Sequence, residues 1–242
     1  MKPLIVANWK MNPTSLAETK RLFNSVKNGI KKIKKAEVVI CPPFVYLSTF
    51  SQQYHRLVRG TVRLGGQDCF WEEKGAFTGE VSPAMLKNLG CEYVIIGHSE
   101  RRRYFQETDE MINKKIKAAL KVKLKPILCV GETEEERKNG KAEEILKRQI
   151  EKDLKEIESF NLIIAYEPVW AIGTGNSCGA GEAQNIKNFI SGIIPSVKIL
   201  YGGSVNSGNS KEYIKEAGFG GLLVGGASLD AEEFSKIIKS CG

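Results

Sequence analysis

Histidine is almost absent: His55 and His98 are the only two in 242 residues, and neither HxxxH nor HExxH spacing occurs. That excludes a histidine-built metal centre. Cysteine occurs at 41, 69, 91, 129, 178 and 241, but no pair has CxxC spacing and four lie in or beside apolar runs. These are expected to be buried free thiols, not disulfides or metal ligands. No stretch approaches the ~20 apolar residues of a membrane span. The opening MKPLIVANWK is too short an apolar run for a secretory signal and gives way at once to Asn8 and Lys10. Linkers and low-complexity tracts are missing too. The expectation is a soluble, cytoplasmic protein with one domain over 1–242 and no membrane partner.

A one-sign charge stripe is also lacking. The net charge is +8, but Lys and Arg alternate with Glu, as in Glu134-Glu135-Glu136-Arg137-Lys138 and Glu143-Glu144-Ile145-Leu146-Lys147-Arg148. Such interleaving reads as solvated helix surface, and no nucleic-acid partner is expected.

What is present is a rhythm. Short apolar runs at 4–7, 38–41, 62–65, 93–96, 126–130, 162–165, 198–201 and 221–224 show little polar alternation, as strands covered on both faces do. Between them lie amphipathic helix patterns, including 16–33, 109–120, 142–157, 182–193 and 232–239, with Asp109 and Ser210 as candidate N-caps. Eight strand-then-helix units in about 240 residues predict an α/β fold: a single-domain (β/α)8 barrel of eight parallel strands with an outer ring of helices.

In such a barrel the chemistry sits where strands end and lead into helices. Unusual residues fall there: Asn8 and Lys10 after the first strand, His98 and Glu100 after the fourth, Glu167 after the sixth. Glycine turns YGGSV (201–205) and VGGAS (224–228) follow the last two. Either turn alone reads as ordinary turn glycine. Together, after strands seven and eight, they predict a phosphate cradle of backbone N–H groups. Glu167 stands before Pro168, where a strand stops, followed by Trp170, Ile172, Gly173 and Gly175. This reads as a general base beside a mobile lid, or as a surface ion pair beside a packed loop. His98 shares that rim, which favours a catalytic reading over a structural one. His55, within QQYHRL, is expected at the surface. Lys10 is either a surface charge or the cation that meets an anionic substrate.

The blocks NWKMN (8–12), GQDCFWEEKGAFTGEVSPAML (66–86), IIGHSERR (95–102), AYEPVWAIGTG (165–175), YGGSV and GFGGLLVGGASL (218–229) resemble the triosephosphate isomerase family, in order and across the whole chain. The resemblance implies cofactor-free interconversion of dihydroxyacetone phosphate and glyceraldehyde 3-phosphate. Glu167 would be the base and His98 the electrophile. Lys10 and Asn8 would stabilise the anion, and Glu100 would order the Lys10 region. Backbone N–H groups of Gly173, Ser204, Gly225 and Gly226 would grip the phosphate. The lid would comprise Pro168, Val169, Trp170, Ala171, Ile172, Gly173, Thr174 and Gly175. It also implies a neutral histidine at a helix N-terminus facing a glutamate base, a pairing known for this family. The aromatic loop with Phe70, Trp71 and Phe77 would enter a second copy through Phe77, Thr78, Gly79 and Glu80, making a homodimer through the 66–80 loop.

The chain departs from the family pattern at the lid's trailing hinge, Asn176-Ser177-Cys178, and in a short stretch between Glu167 and Tyr201. Two rival readings stand beside the resemblance. Another phosphate-binding barrel enzyme would keep the glycine turns without NWK, GHSE and YEPVWAIGTG together. A non-catalytic, basic binding protein would explain only the charge.

Overall fold

The structure is a computed structural model that describes residues 2–57, 62–158, 161–172 and 178–242, and of 51–57 only the backbone. The His55 side chain and lid residues Gly173, Thr174 and Gly175 lie outside the described residues.

Eight parallel strands, β1 (Leu4–Asn8), β2 (Glu37–Cys41), β3 (Val62–Gly66), β4 (Cys91–Ile96), β5 (Lys125–Val130), β6 (Ile163–Tyr166), β7 (Lys198–Tyr201) and β8 (Gly221–Val224), close a barrel in chain order. The seam is closed by β1, which pairs Leu4 with Glu37 of β2 and with Gly221 of β8. Among the described residues ten helices surround it: α1 (Leu16–Ile30), α2 (Phe44–Leu57), α3 (Pro83–Asn88), α4 (Ser99–Phe105), α5 (Asp109–Lys121), α6 (Glu134–Lys138), α7 (Ala142–Asp153), α8 (Ala180–Ile193), α9 (Ser210–Lys215) and α10 (Ala231–Cys241). The expected barrel is therefore present.

Each strand buries both faces, so its residues divide between two cores with the period of two that a pleated backbone dictates. Leu4, Val6, Val39, Cys41, Tyr93, Ile95, Ile127, Cys129, Ile163, Ala165, Leu200 and Leu223 fill the barrel interior. Their neighbours Ile5, Ala7, Val38, Ile40, Val94, Ile96, Leu128 and Ile164 pack outward with helix residues such as Phe23, Ile30, Ile112 and Ile116. Each fully buried aliphatic side chain contributes about 1.5–3 kcal/mol.

Two helices end sooner than their apolar pattern. In α1 the backbone tightens after Ile30, with Ile33 N–H donating to the Ile30 carbonyl at 2.8 Å. After α7, Glu156 turns left-handed at φ +59°. Ile157 stays buried there without being helical. The caps also sit one residue earlier than expected. Thr108, not Asp109, accepts from Met111 N–H, while the Asp109 carboxylate is taken by Arg102. Asn209 precedes α9, and Ser210 is buried against Ser240, their hydroxyl oxygens 2.7 Å apart.

Candidate active site

The period of two places the site. Extending the inward sequence Leu4, Val6 by two residues reaches Asn8; extending Ile163, Ala165 reaches Glu167. The same step from Leu200 and Leu223 reaches Gly202 and Gly225. All four border one cavity of about 350 Å³ at the C-terminal mouth of the barrel. Lys10, His98, Ser204 and Gly226 also line it, so residues from five strands' ends meet there. A wider cleft of about 1150 Å³ adjoins it and shares Glu167 and Ile172. Acid–base pairs such as Arg102–Asp109 and Lys138–Glu134 border that cleft, leaving it less suited to a small anion.

Glu167 is 1% exposed. Its Oε2 accepts the Ser99 N–H at 2.9 Å, at the start of α4. Its Oε1 lies 3.1 Å from His98 Nε2 without the alignment of a hydrogen bond, so this oxygen has no donor. Glu167 is backed by Gly131, where a Cβ would stand 1.7 Å from the Glu167 carbonyl oxygen; only glycine lets the two strand ends approach so closely. Below it lies Cys129, whose thiol is held well above its usual pKa by burial and then by the Glu167 charge, and so stays protonated.

His98 caps α4. Its Nδ1 accepts the Glu100 N–H at 3.2 Å, which leaves the hydrogen of a neutral ring on Nε2, facing Glu167. Lys10 has a left-handed backbone (φ +52°), and its N–H donates to Asn8 Oδ1 at 3.1 Å. Its ammonium pairs with Glu100 Oε1 at 2.5 Å and lies beside Gly225, whose ideal Cβ would stand 3.8 Å from Nζ. Glu100 and Lys10 are thus in direct contact.

The segment after Glu167 forms a short 3-10 turn, Val169–Ala171. Glu132 holds it: Trp170 Nε1 donates to Glu132 Oε1 at 2.8 Å, Tyr166 OH donates to the same oxygen, and Val169 N–H donates to the Glu132 carbonyl. Burial raises the Glu132 carboxyl above its ordinary pKa, against the pull of these donors. Arg137 stacks on the Trp170 ring at 4.0 Å, and Ser204 Oγ donates to the Ala171 carbonyl at 2.6 Å.

A sequence model of the triosephosphate isomerase family matches residues 3–241. The chain belongs to the triosephosphate isomerase family. It is 47% identical to the triosephosphate isomerase of Dictyoglomus turgidum, covering 99% of each chain. It is 46% identical to that of Aquifex aeolicus, over 99% of this chain and all of the relative. The crystal structure of triosephosphate isomerase from Bartonella henselae superimposes with a TM-score of 0.86 at 36% identity, covering 99% of both chains.

Within this member of the family, the fold brings together Asn8, Lys10, His98, Glu167, Ser204, Gly225 and Gly226, while Glu100 touches Lys10 from the side. Phe77, Thr78, Gly79 and Glu80 stand apart from the cavity on an exposed loop. Three contributors escaped sequence reasoning. The Ser99 N–H is a backbone donor that the helix start at GHSE implied. Leu223, an inward residue of β8, gives the cavity an apolar wall. Glu132 lies in a charged stretch, GETEEE, that reads as surface and is instead 0% exposed.

Proposed function

We infer that the chain interconverts dihydroxyacetone phosphate and glyceraldehyde 3-phosphate through an enediolate, as its family membership implies. The observation that carries this reading is the meeting of a buried carboxylate, an imidazole and an ammonium around one small cavity bordered by two glycine turns.

Glu167 Oε1, which has no donor, removes the proton from the carbon beside the carbonyl. The carbonyl oxygen then gains negative charge. His98 Nε2–H, the Lys10 ammonium and the Asn8 amide stabilise that charge, each well-placed donor lowering the barrier by roughly 3–4 kcal/mol. His98 moves a proton between the two oxygens, and Glu167 returns one to the neighbouring carbon. One C–H bond breaks and another forms within the same molecule, so the step balances with no external oxidant and no cofactor. Backbone N–H groups of Ser204, Gly225, Gly226 and Gly173 hold the phosphate, and Glu100 keeps Lys10 in register. The lid from Pro168 through Gly175 excludes water over the intermediate.

The active form is a homodimer. Met11, Val45, Met85 and Phe105 are 88%, 76%, 52% and 65% exposed, and they follow β1, β2, β3 and β4, neighbours around one side of the rim. The 66–80 loop beside them clusters Phe70, Trp71 and Phe77, with ring centroids 4.0 and 4.8 Å apart and Phe77 still 43% exposed. A second copy covers this apolar face, with Thr78, Gly79 and Glu80 entering it. Six free, buried cysteines suit the cytoplasm. The i,i+4 pairs Lys138–Glu134, Lys147–Glu151 and Lys236–Glu232 support a solvated helix surface with no nucleic-acid partner. The whole chain, 1–242, acts as one domain.

A coupled assay with glyceraldehyde 3-phosphate, run beside light scattering, tests both parts. Turnover without added cofactor and a mass twice the 26.8 kDa of the chain are expected. Folded protein that leaves both triose phosphates unchanged would refute the activity, and a monomer mass would refute the dimer.

A further inference from the structure

Arg102 lies in the last turn of α4 and is used by none of the steps above, yet its side chain turns back toward the barrel and is 16% exposed. Four acceptors surround the guanidinium. Nε donates to the Gly97 carbonyl at 2.9 Å, and Nη2 to the Cys129 carbonyl at 3.3 Å. Nη1 donates to Asp109 Oδ1 at 2.7 Å, and Nη2 to Asp153 Oδ2 at 2.6 Å. A fully buried carboxylate from α7 and a second one from α5 thus hold a planar cation against the ends of two barrel strands.

The two carbonyls it binds are in telling places. The Gly97 carbonyl belongs to the peptide group that carries the His98 nitrogen, so a donor there sets the plane from which His98 departs. Gly97 itself is left-handed (φ +73°), and an ideal Cβ would stand 3.2 Å from Arg102 Nη2. Cys129 is next to Val130, whose carbonyl accepts the Glu167 N–H at 2.8 Å. One rigid fork therefore reaches the backbone behind both side chains that face each other at 3.1 Å.

We propose that Arg102 is a positioning residue for the isomerisation: it clamps the ends of β4 and β5 and thereby fixes His98 against Glu167. This rests on the roles inferred for those two residues. Lysine cannot replace it, because a point ammonium lacks the planar set of donors needed to satisfy four acceptors in different directions. The glycine turns after β7 and β8, where the phosphate is held, make no contact with Arg102 among its described hydrogen bonds. Loss of the clamp should therefore act on turnover and not on substrate binding.

The test is Arg102→Lys, with wild type in the same assay. A misplacement of about 1 Å costs on the order of 100-fold in rate. We expect kcat to fall by about that factor, with KM and the inhibition constant of inorganic phosphate within roughly threefold of wild type. Affinity for a phosphorylated hydroxamate that mimics the enediolate should fall in step with kcat. Circular dichroism at the assay temperature establishes that the variant is folded. If Arg102→Lys does not fold, Arg102→Gln, which lacks the charge but keeps an amide fork, takes its place with the same expected pattern. A folded variant with wild-type kcat, or with loss confined to thermal stability, overturns the proposal. A wild-type protein without turnover overturns the isomerase reading instead, so the two failures are told apart.

Discussion

Glu167 occupies a position that leaves little freedom. Its strand register points it into the barrel, Gly131 sits against its carbonyl, and Ser99 N–H fixes one carboxylate oxygen. Shortening the side chain in Glu167→Asp withdraws the carboxylate by about 1 Å from a carbon acid that cannot follow, which should lower kcat on the order of 100-fold while KM changes little. Steady-state rates in both directions measure this, and an unchanged kcat would remove Glu167 from the role of base. The position was legible in the sequence because a charged residue and a proline end an otherwise apolar run. His98 and Lys10 were legible by the same contrast. Glu132 was not: its neighbours are charged, and only the folded chain reveals that Trp170 and Tyr166 both donate to it. The Ser99 donor is a main-chain group, and residue type carries no mark of it.

At the scale of the element, the eight strands could be read almost residue by residue, because burial on both faces makes each largely apolar, with charged residues such as Glu37, Lys125 and Lys198 at their starts and Arg63 within β3. Helix ends were less legible. Lysines continue the pattern past Ile30, and a buried Ile157 extends it past Asp153, although backbone turns stop both helices earlier. Thr108 and Asp109 are both good N-caps on residue type, and the choice is made by Arg102 drawing Asp109 away. The contact between β5 and β6 makes a prediction of its own. Gly131→Ala would put a Cβ 1.7 Å from the Glu167 carbonyl oxygen, a backbone atom that cannot rotate aside. The strand ends must separate, at a cost of about 3 kcal/mol by analogy with overpacked cores. The urea midpoint should fall accordingly, and the rate should fall with it because the displaced residue is the proposed base. A variant as stable and active as wild type would mean that the two strands have slack.

For the whole molecule, the barrel closure and the side-by-side loops after β1 to β4 follow from eight repeated units. The charges buried between the helices do not, since sequence gives no hint that Asp68, Glu107, Lys115 and Arg101 form one cluster, or that Asp109, Asp153 and Arg102 form another. These clusters govern how stability depends on pH. Burial, with a further push from Asp109 against the pull of Arg102, raises Asp153 from 3.8 to about 7. Burial and Glu107 raise Asp68 to about 6 against the pull of Lys115 and Arg101. Burial alone would raise Glu107, but hydrogen bonds and charges from Lys115 and Arg101 outweigh it and hold that carboxyl low. For the two aspartates the native state binds the proton more tightly than the unfolded chain. Their contribution is complete below about pH 4 and is lost as pH rises through about 6 for Asp68 and about 7 for Asp153. Glu107 acts in the opposite sense, but its change is complete near its ordinary value of 4.5. Between pH 5 and 7 the aspartates therefore dominate these clusters, and stability should decline with rising pH. Urea midpoints at fixed protein concentration should show that decline in wild type. In Asp153→Asn the residue no longer titrates while Arg102 keeps an oxygen acceptor, so the slope between pH 6 and 7 should flatten. An identical slope in the two proteins would mean that Asp153 is ionised throughout, and that Arg102 outweighs its burial.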